Sequence, residues 1–552
     1  MVTAILLDCG VLLLVERGGP RSLSRPIIGR GTWLDRVAHR LIEREKRLGR
    51  SLDLLLTESG IAASGIPHIG NLSDPARAYG VTLAIRGLGY NSEMILFADD
   101  MDGLRSVPQG LPKELEEYLL KPVSRIPDPY GCHTSYADHM VSMMTEPLDR
   151  IGIEYKLYNA HEVYGSGRLA GIAAEILSNS ERVGEAIKTL VGQEKFTEQL
   201  PYYPVCDSCS RIYTAKAVEY DREKRRVRYV CSDIEIKKRL HRGCGFEGWS
   251  DLERGNGKLP WKVEFAARWK LLDIRFEAYG KDLIDSVKVN DWVSRKILNF
   301  EPPMHVKYEH FIDASRRKFS KSVGNVFTPQ MWLKYAPPET LLLLMFKRSV
   351  GARVVTPELI PRLWDEAEEL EDVYFGRVKI VDERTRSKLR GLYEYIYLLR
   401  PPQRPRAHAP FKLLAEMGSV APAENLREFL EKRLQRYGYK VDEYLLEKAE
   451  KARLYAMDFG EVPRAKVKIE LEDSEREAIQ AIIERVGRAA DGEEVQAAIF
   501  EEARRRGINP PQLFSKIYLL LLGRPSGPRL GPYLFDIGAD RLSEALASIS
   551  SS

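Results

Sequence analysis

Residues 52–71 read LDLLLTESGIAASGIPHIGN, and this stretch determines the fold class. Its apolar beginning, residues 52–56, has the length of a buried strand, and the Gly- and Ser-rich residues after it indicate a turn. A helix is predicted next, carrying Ala76, Leu83 and Ile85. A strand, a Gly-rich turn and a helix open the βα unit with which many α/β proteins bind nucleotides. We therefore expect a parallel sheet with a ligand site at the carboxyl ends of its strands.

The segments on both sides fit the same architecture. Upstream, Thr32 is suited to cap a helix, and the apolar residues of that helix share one stripe, at Leu34, Val37, Leu41 and Ile42. Downstream, residues 94–98 predict the next strand, which ends at the run Asp99-Asp100-Met101-Asp102. Polar residues in this position lie where open α/β sheets bind ligands.

The length of 552 residues indicates three or four domains. Residues 1–31 are predicted to form an N-terminal extension and linker, and residues 32–335 a Rossmann-type α/β domain with a parallel sheet. Within that domain, residues 110–260 interrupt the strand–helix alternation and predict an insertion. A connector over residues 336–365 leads to an all-α region, residues 366–552. Two helices of that region are predicted at residues 366–373 and 474–486, the second with Ser474 as N-cap.

The composition narrows the class of protein. Hydrophobic residues make up 44% of the chain, which suffices for sizeable cores. A net charge of +5 permits a nucleic-acid partner, because such proteins need a local basic face rather than a large global excess. The apolar start, residues 1–15, is short and interrupted by Asp8, so it resembles neither a signal peptide nor a membrane span. The cytoplasm is the expected location. Six cysteines do not indicate a disulfide scaffold, and Cys9 and Cys132 are predicted to be buried small residues.

Pro67-His68-Ile69-Gly70-Asn71 is the first motif that carries chemistry. A helix N-terminus presents unpaired N–H groups and a partial positive charge to the phosphates of ATP. Gly70 lacks a side chain that would block the adenosine, and His68 can donate to phosphate oxygens as charge develops. The bland alternative is a surface histidine at the start of a helix.

Lys318-Phe319-Ser320-Lys321-Ser322-Val323-Gly324-Asn325 is the second motif. Two lysines three residues apart, with hydroxyls between and after them, suit the departing pyrophosphate, for which positioning and charge stabilisation supply most of the catalysis. The alternative is a solvated basic loop that continues Arg316-Arg317.

The two motifs together resemble the signatures of class I aminoacyl-tRNA synthetases, His-Ile-Gly-His and Lys-Met-Ser-Lys-Ser. Asn71 stands in place of the second histidine and can still donate hydrogen bonds, and Phe319 stands in place of the methionine. The order of the motifs, their separation and the strand–helix context agree with this resemblance.

Further segments resemble the class I lysyl-tRNA synthetases in particular, over residues 32–545. These segments are Ser59-Gly60, Ser64-Gly65, Asp99 to Asp102 with Arg105 and Pro108, Gly257 to Trp261 with Arg268-Trp269, Tyr279 to Asp282, Glu301 to Pro303 with Tyr308-Glu309, Ala336 to Glu339, and Phe514 to Tyr533. The resemblance implies a lysine–tRNA ligase that uses ATP with Mg2+ and acts on L-lysine and its tRNA. It also implies that residues 366–552 read the anticodon. A monomer without membrane contact is favoured.

The resemblance assigns roles to individual residues. Catalysis falls to His68, Asn71, Lys318 and Lys321. ATP would be bound by Ser64, Gly65, His68, Gly70, Asn71, Lys318, Ser320, Lys321 and Ser322. The amino acid would be bound by Gly60, Asp99, Trp261, Asp282 and Tyr308. An acidic group must face the ammonium of lysine, and the candidates are Glu58, Asp99, Asp102 and Asp282.

Three departures from the family pattern affect the amino-acid pocket. Ala62-Ala63 replace Thr-Pro, Leu283 replaces a histidine, and residues 284–291 replace a Gly-Gly-Ser stretch. Each hydrogen bond lost from such a pocket is worth roughly 0.5–1.5 kcal/mol. Three alternatives therefore stay open: a glutamyl-type synthetase, a tRNA-binding paralogue with impaired catalysis, and a tRNA-independent nucleotidyltransferase of the same fold.

Four cysteines between residues 204 and 247 predict a structural zinc site inside the insertion. Cys206 and Cys209, two residues apart, place two thiolates on one turn, and Cys244 is a third ligand. The fourth ligand is Cys231 or His241. Cys231 lies thirteen positions before Cys244, whereas His241 has the more regular spacing to it. Such a zinc would organise the insertion rather than take part in the reaction.

Overall fold

The structure of the protein is a computed structural model. It describes residues 26–547, except residues 237, 310, 313–326, 350, 352, 420, 422–423, 461–468 and 524. The strands are, in chain order, β1 (Leu55–Ala62), β2 (Ser92–Asp99), β3 (Lys156–Asn159), β4 (Tyr203–Pro204), β5 (Ala215–Asp221), β6 (Arg226–Cys231), β7 (Ile234–Ile236), β8 (Arg239–His241), β9 (Glu247–Asp251), β10 (Gly257–Lys258), β11 (Ile274–Gly280), β12 (Met304–Tyr308), β13 (Phe311–Ile312) and β14 (Arg353–Val354).

The helices surround and extend this framework. They are α1 (Trp33–Arg47), α2 (Ile69–Gly87), α3 (Tyr136–Ile151), α4 (Ala160–Gly165), α5 (Ala170–Ser178), α6 (Ser180–Val191), α7 (Lys195–Glu198), α8 (Trp261–Leu272), α9 (Ile284–Lys296), α10 (Pro329–Tyr335), α11 (Pro338–Phe346), α12 (Leu359–Tyr374), α13 (Glu383–Ile396), α14 (Phe411–Ser419), α15 (Leu426–Arg436), α16 (Glu443–Phe459), α17 (Asp473–Val486), α18 (Gly492–Arg505), α19 (Pro510–Leu522) and α20 (Leu530–Ala547). Among these helices, none combines the length and the apolar character that a membrane crossing requires.

Parallel strands in the order β12-β11-β1-β2-β3 form the central sheet of the described chain. The prediction of an α/β protein with a parallel sheet is therefore confirmed. Successive side chains of β1 point to opposite faces of the sheet. Thr57 contacts the Thr82 hydroxyl of α2 at 2.7 Å, whereas Glu58 contacts Arg268 of α8 at 3.1 Å. Helices α2 and α8 thus cover opposite faces.

Strand β1 differs from its prediction. It begins at Leu55 and continues through Ala62, so residues 57–62 are extended strand rather than turn. Hydrogen bonding to β11 on one side and β2 on the other holds this polar segment in the sheet. Glu58 and Ser59 are consequently fully buried. The apolar periodicity could not predict this, because the buried ion pair of Glu58 replaces the apolar contact that such a position normally makes.

Helix α1 begins as predicted, with Thr32 as its N-cap and its apolar stripe buried. The backbone N–H of Thr32 donates to Asp35 at 2.9 Å, and the same carboxylate accepts from the Tyr395 hydroxyl at 2.7 Å. The end of the predicted linker also packs on α13, because Arg30 forms an ion pair with Glu394. Residues 26–31 are therefore part of the folded body.

One strand of the central sheet lies within residues 110–260, where no strand–helix alternation was predicted. This strand, β3, pairs with β2 at the sheet edge and has only four residues, with Lys156 and Leu157 exposed. So short and exposed a strand has no apolar pattern to reveal it. Later in the same range, β5, β6 and β9 form an antiparallel sheet of their own, and β7 and β8 form a hairpin.

From residue 359 onward the described chain contains helices and no strand. Helix α12 includes the predicted helix 366–373, and α17 corresponds to the one predicted over residues 474–486. The predicted N-cap Ser474 is wrong, because α17 begins at Asp473 and Glu472 is its cap. The side chain of Glu475 accepts from the backbone N–H of Glu472 at 2.9 Å. A carboxylate at this end also interacts favourably with the helix dipole.

Candidate active site

Helix α2 begins at the predicted ATP motif. His68 is the N-cap residue of this helix, with extended backbone (φ −112°). The side-chain oxygen of Asn71 accepts from the backbone N–H of His68 at 3.0 Å. No acidic residue lies in the first turn of α2, so the helix itself offers no charge that would repel an anion there. The start of α2 is therefore suited to phosphate.

Gly70 makes room for the His68 ring. A Cβ at position 70 would lie 2.9 Å from both Cε1 and Nδ1 of His68, closer than such atoms can approach. Any other residue would therefore displace the imidazole. The sequence indicated that Gly70 leaves room for the adenosine. The space that it leaves for the His68 ring is a second reason for a glycine at this position.

The second predicted motif lies outside the described residues, together with its site residues Lys318, Ser320, Lys321 and Ser322. The described chain stops at β13 and resumes at Phe327. The carbonyl of Phe327 accepts from the backbone N–H of Ile69, the first residue of α2, at 2.8 Å. Phe327, the first described residue after the motif, is thus joined to the same helix start that carries His68.

The carboxyl ends of β1 and β2 bring Gly60 and Asp99 together. A Cβ on Gly60 would lie 3.9 Å from an Asp99 carboxylate oxygen and 3.6 Å from Nη2 of Arg268. Nη1 of Arg268 donates to Asp99 at 2.9 Å. Two of the predicted amino-acid-binding residues therefore share one corner with a buried arginine. Ser64 and Gly65 follow β1, and the carbonyl of Ser64 accepts from the Tyr136 hydroxyl at 3.1 Å.

Arg268 is the counter-ion of two buried carboxylates. Its Nε lies 3.1 Å from Oε1 of Glu58, and the arginine and glutamate side chains are 1% and 0% exposed. Burial raises the pKa of Glu58, and the charge of Arg268 opposes that rise. Burial also raises the pKa of Asp99 to about 7, again opposed by Arg268. The arginine therefore favours the charged form of both carboxylates, against the effect of burial.

A second buried cation neutralises Asp102. Lys258 Nζ lies 2.8 Å from Asp102 Oδ1 and 3.1 Å from Glu264 Oε2. The other oxygen of Glu264 accepts from the Tyr164 hydroxyl at 2.9 Å. Three of the four acidic candidates for the substrate ammonium, Glu58, Asp99 and Asp102, are therefore already paired with Arg268 or Lys258.

The other three predicted amino-acid-binding residues are Trp261, Tyr308 and Asp282. Trp261 begins α8, and its indole N–H is buried without a hydrogen-bond partner among the described residues. Tyr308 ends β12, is 4% exposed, and has the guanidinium of Arg77 4.4 Å from its ring centroid. Asp282 lies in the short 3-10 helix Lys281–Leu283 that follows β11.

The positions that depart from the family pattern are also placed. Ala62 is exposed at the end of β1, whereas Ala63 is buried. Leu283 packs against the apolar core beside α8, and residues 284–291 form the first turns of α9. An imidazole is nevertheless nearby: the His305 ring on β12 lies 5.2 Å from that of Trp269 and 5.5 Å from that of Tyr279.

The four predicted cysteines converge. Cys206 Sγ lies 3.6 Å from Cys244 Sγ, and Cys209 Sγ lies 3.7 Å from Cys231 Sγ. All four sulfur atoms lie within 4.8 Å of one another. Four thiolates at zinc's usual 2.3 Å in a tetrahedron would be about 3.8 Å apart. The donor set and the spacing fit zinc, and Cys231 rather than His241 completes the set.

A second group of metal-ligating side chains was not predicted. Asp128, Cys132, His133 and His139 bring their ligand atoms within 4.8 Å of one another. Cys132 Sγ lies 3.2 Å from His133 Nδ1 and 3.3 Å from His139 Nδ1. The prediction that Cys132 is a buried small residue is therefore wrong, since this side chain is exposed. The spacing Asp-x3-Cys-His-x5-His was the available signal. It was not recognised because it contains a single cysteine rather than a pair of cysteines.

The family comparison identifies the class of this protein. Residues 31–397 match the family model described as tRNA synthetases class I (K), and the chain belongs to that family.

Two relatives are similar over almost their whole length. A protein of Cenarchaeum symbiosum (strain A) named "Lysine--tRNA ligase" is 46% identical over 522 residues, which cover 94% of this chain and 98% of that protein. A protein of the same name from Methanocaldococcus jannaschii is 31% identical over 538 residues, covering 92% and 98%. Among solved structures, a glutamate tRNA ligase from Elizabethkingia meningosepticum gives a TM-score of 0.31 at 11% identity, covering 90% of this chain and 99% of that one.

Proposed function

We propose that the protein is a lysine–tRNA ligase, which activates L-lysine with ATP and transfers it to a lysine-accepting tRNA. The observation that carries this proposal is the 46% identity over 94% of the chain to a protein named for that activity. The buried carboxylates of Glu58 and Asp99 support it, because the two share a single counter-ion, Arg268, beside Gly60, and the excess negative charge is suited to a cationic amino acid.

The reaction has two steps. A carboxylate oxygen of lysine attacks the α-phosphorus of magnesium-bound ATP, the bond to the bridging oxygen breaks, and pyrophosphate leaves. A ribose hydroxyl of the terminal tRNA adenosine then attacks the carbonyl carbon of lysyl-adenylate, loses its proton, and AMP leaves. His68 and Asn71, at the positively polarised start of α2, stabilise the negative charge that develops on the phosphate.

Lys318 and Lys321 hold the departing pyrophosphate, with Ser320 and Ser322 in support. The supporting observation is the attachment of Phe327 to the start of α2. Lys321 precedes Phe327 by six positions along the chain, and an extended chain of that length spans roughly 20 Å at most. This chain length permits Lys321 to reach the pocket beside His68.

Gly60, Asp99, Trp261, Asp282 and Tyr308 form the amino-acid pocket. The buried indole N–H of Trp261 is available to donate a hydrogen bond to a substrate oxygen, since no described residue bonds to it. Asp99 and Asp282 are the acidic groups nearest the carboxyl ends of their strands. Hydrogen-bonding pockets discriminate strongly, because a wrong substrate leaves buried polar groups unpaired.

Both metal-ligating clusters hold structural zinc in this proposal. The four cysteines cross-link the short strands of residues 204–247, and the cluster at Asp128 fixes the turn before α3. Their ligand sets match zinc preferences for thiolate and imidazole. Neither cluster includes a residue of the proposed active site, so zinc stabilises the fold there and takes no part in the reaction.

The RNA partner is bound by two parts of the chain. Helices α12 to α20 read the anticodon, whose unstacked bases are the feature that proteins read most readily. The zinc region of residues 204–247 carries eleven Lys and Arg against seven Asp and Glu, and it contacts the phosphate backbone. The protein acts in the cytoplasm as a monomer.

Pyrophosphate exchange into ATP tests the proposal. Full-length protein with tRNA is assayed against each of the twenty amino acids in turn. Lysine alone is expected to support exchange, and His68→Ala should reduce it by about 10²–10³-fold. Exchange with glutamate alone would identify the glutamyl-type alternative. A chain that binds tRNA without exchange for any amino acid would be the impaired paralogue.

A further inference from the structure

Two buried glutamates lie side by side in the central sheet. Glu58 of β1 and Glu277 of β11 are partners in the parallel register, 0% and 5% exposed. Partners in neighbouring strands project to the same face, and the strands are about 4.8 Å apart. Two like charges in this arrangement destabilise a sheet. Such a pair requires either a cation or a proton.

The cations of the described chain do not satisfy both carboxylates. Arg268 lies 3.1 Å from Glu58, but Glu277 accepts from a neutral donor, the indole N–H of Trp269, at 2.7 Å. Neither oxygen of Glu58 receives a well-aligned hydrogen bond from a described residue. No ion pair of Glu277 occurs in the part of the chain that the structure describes.

The surroundings add further negative charge. Asp99 and Glu264 lie close enough to Arg268 to influence its charge state, and Lys258 pairs with Asp102 as well as with Glu264. Asp74 of α2 lies close enough to Glu277 to raise its pKa, and His305 of β12 lies beside Trp269. The charged groups in and around the pair comprise three cations and six carboxylates: Arg268, Lys258 and, beside Asp74, Arg77, with Glu58, Asp74, Asp99, Asp102, Glu264 and Glu277. Burial, and next the charge of Glu58, raise the pKa of Glu277 to about 8.

The pair lies next to the proposed amino-acid pocket. Gly60 follows Glu58 by two residues and projects to the same face of β1. Arg268, which touches Glu58, would be 3.6 Å from a Cβ on Gly60. A charge that enters the pocket beside Gly60 therefore acts on the pair through one intervening guanidinium.

We propose that Glu58 and Glu277 share a proton while the pocket is empty and release it when a cationic amino acid enters, so that the pair selects substrates by charge. The proton leaves a carboxyl oxygen for the solvent, and the positive side chain of the substrate replaces its charge. This inference rests on the proposed function. Glu277 is a positioning and specificity residue, because its carboxylate is hydrogen-bonded to Trp269 and the substrate charge acts on it through Arg268.

Proton-linked binding is measured by titration calorimetry of full-length protein with L-lysine. The same titration is run at pH 7.5 in phosphate and in Tris, which differ in heat of ionisation. The two binding enthalpies are expected to differ, and the difference divided by the difference in buffer ionisation enthalpy should correspond to release of a fraction of one proton. Because protons are released, lysine affinity should rise between pH 6.5 and 8.5.

Glu277→Gln tests the residue directly. Glutamine still accepts from Trp269 but cannot hold the shared proton. The variant should lose the buffer dependence, bind lysine about tenfold more weakly, and discriminate less against norleucine, a neutral analogue of similar length. Its affinity for ATP should not change. Glu93→Gln is the matched control, because this carboxylate pairs with Lys156 at the start of β2 and should leave the proton count intact.

The outcomes separate this inference from the proposed function. Lysine binding with equal heats in both buffers, or a Glu277→Gln protein that still releases a proton, would overturn the shared proton alone. A protein that binds another amino acid and not lysine would overturn the proposed function. Infrared difference spectroscopy of the unmodified protein gives an independent reading, since a carboxylic-acid band should disappear when lysine binds, and a band that persists would refute the idea.

Discussion

Replacing Arg268 with methionine should destabilise the catalytic domain more than any exposed arginine replacement. Arg268 is 1% exposed and is the cation for two carboxylates that are themselves buried, Glu58 and Asp99. Methionine preserves most of the apolar stem but leaves both carboxylates without a counter-ion. Breaking a buried pair in this way costs roughly 3–5 kcal/mol. For a cooperative unit of 150–250 residues, this corresponds to a loss of roughly 6–20 °C in Tm.

The loss should depend on pH in a defined direction. Without Arg268, Glu58 and Asp99 will bind protons in the folded protein, so their folded pKa values lie above the unfolded values of about 4. A carboxyl whose pKa is raised on folding loses stability as pH rises above its unfolded pKa. The difference in Tm between Arg268→Met and the unmodified protein should therefore be smallest near pH 5 and increase toward pH 7.5.

Differential scanning fluorimetry across this pH range measures the effect. Arg150→Met is the control, because Arg150 forms an exposed pair with Glu146 at 3.2 Å, with side chains about half exposed. Such pairs contribute roughly 0.3–0.5 kcal/mol. If Arg268→Met changed Tm no more than Arg150→Met, or if its deficit did not vary with pH, the buried charge cluster would not hold this corner together.

Further substitutions test other parts of the structure. Gly70→Ala should displace the His68 ring and lower lysine-dependent pyrophosphate exchange by up to roughly 10²-fold, whereas Gly171→Ala, where a Cβ would meet nothing within 4 Å, should leave exchange unchanged. Cys209→Ser and Cys132→Ser should each remove one of two zinc ions per chain, counted by elemental analysis after dialysis; an unmodified protein free of zinc would contradict both assignments. Although burial opposes it, hydrogen bonds to Asp372 and Glu371 raise the pKa of His408 to about 9. The stabilisation that protonated His408 provides should be complete below pH 6.5 and disappear as pH rises through about 9, so the advantage in Tm over His408→Gln should vanish by pH 10.

The sequence predicted the elements whose physics is local. The cap formed by Thr32 depends only on its own turn of helix. The strand of residues 94–98 is apolar because it is buried on both faces of the sheet. The convergence of four cysteines was predictable from their chemistry, since few other arrangements suit four thiols in one segment. These features follow from short-range pattern and from donor type.

The features that sequence reasoning missed depend on distant partners. The polar end of β1 is strand only because Arg268, about two hundred residues away, neutralises Glu58. Cys231 could be distinguished from His241 only in three dimensions, where four sulfur atoms meet. Glu277 carried no signal, because its partner in register, Glu58, becomes a neighbour only when β11 joins β1. Buried charge therefore marks the positions at which pattern reasoning fails here.

The amino acid that the protein attaches to tRNA is the most direct test of the account. Full-length protein is incubated with ATP, all twenty amino acids and total tRNA, and the terminal adenosine is released by nuclease and identified by mass spectrometry. Adenosine esterified with lysine is the predicted product. Adenosine esterified with glutamate, or no esterified adenosine while tRNA is bound, would contradict the assignment.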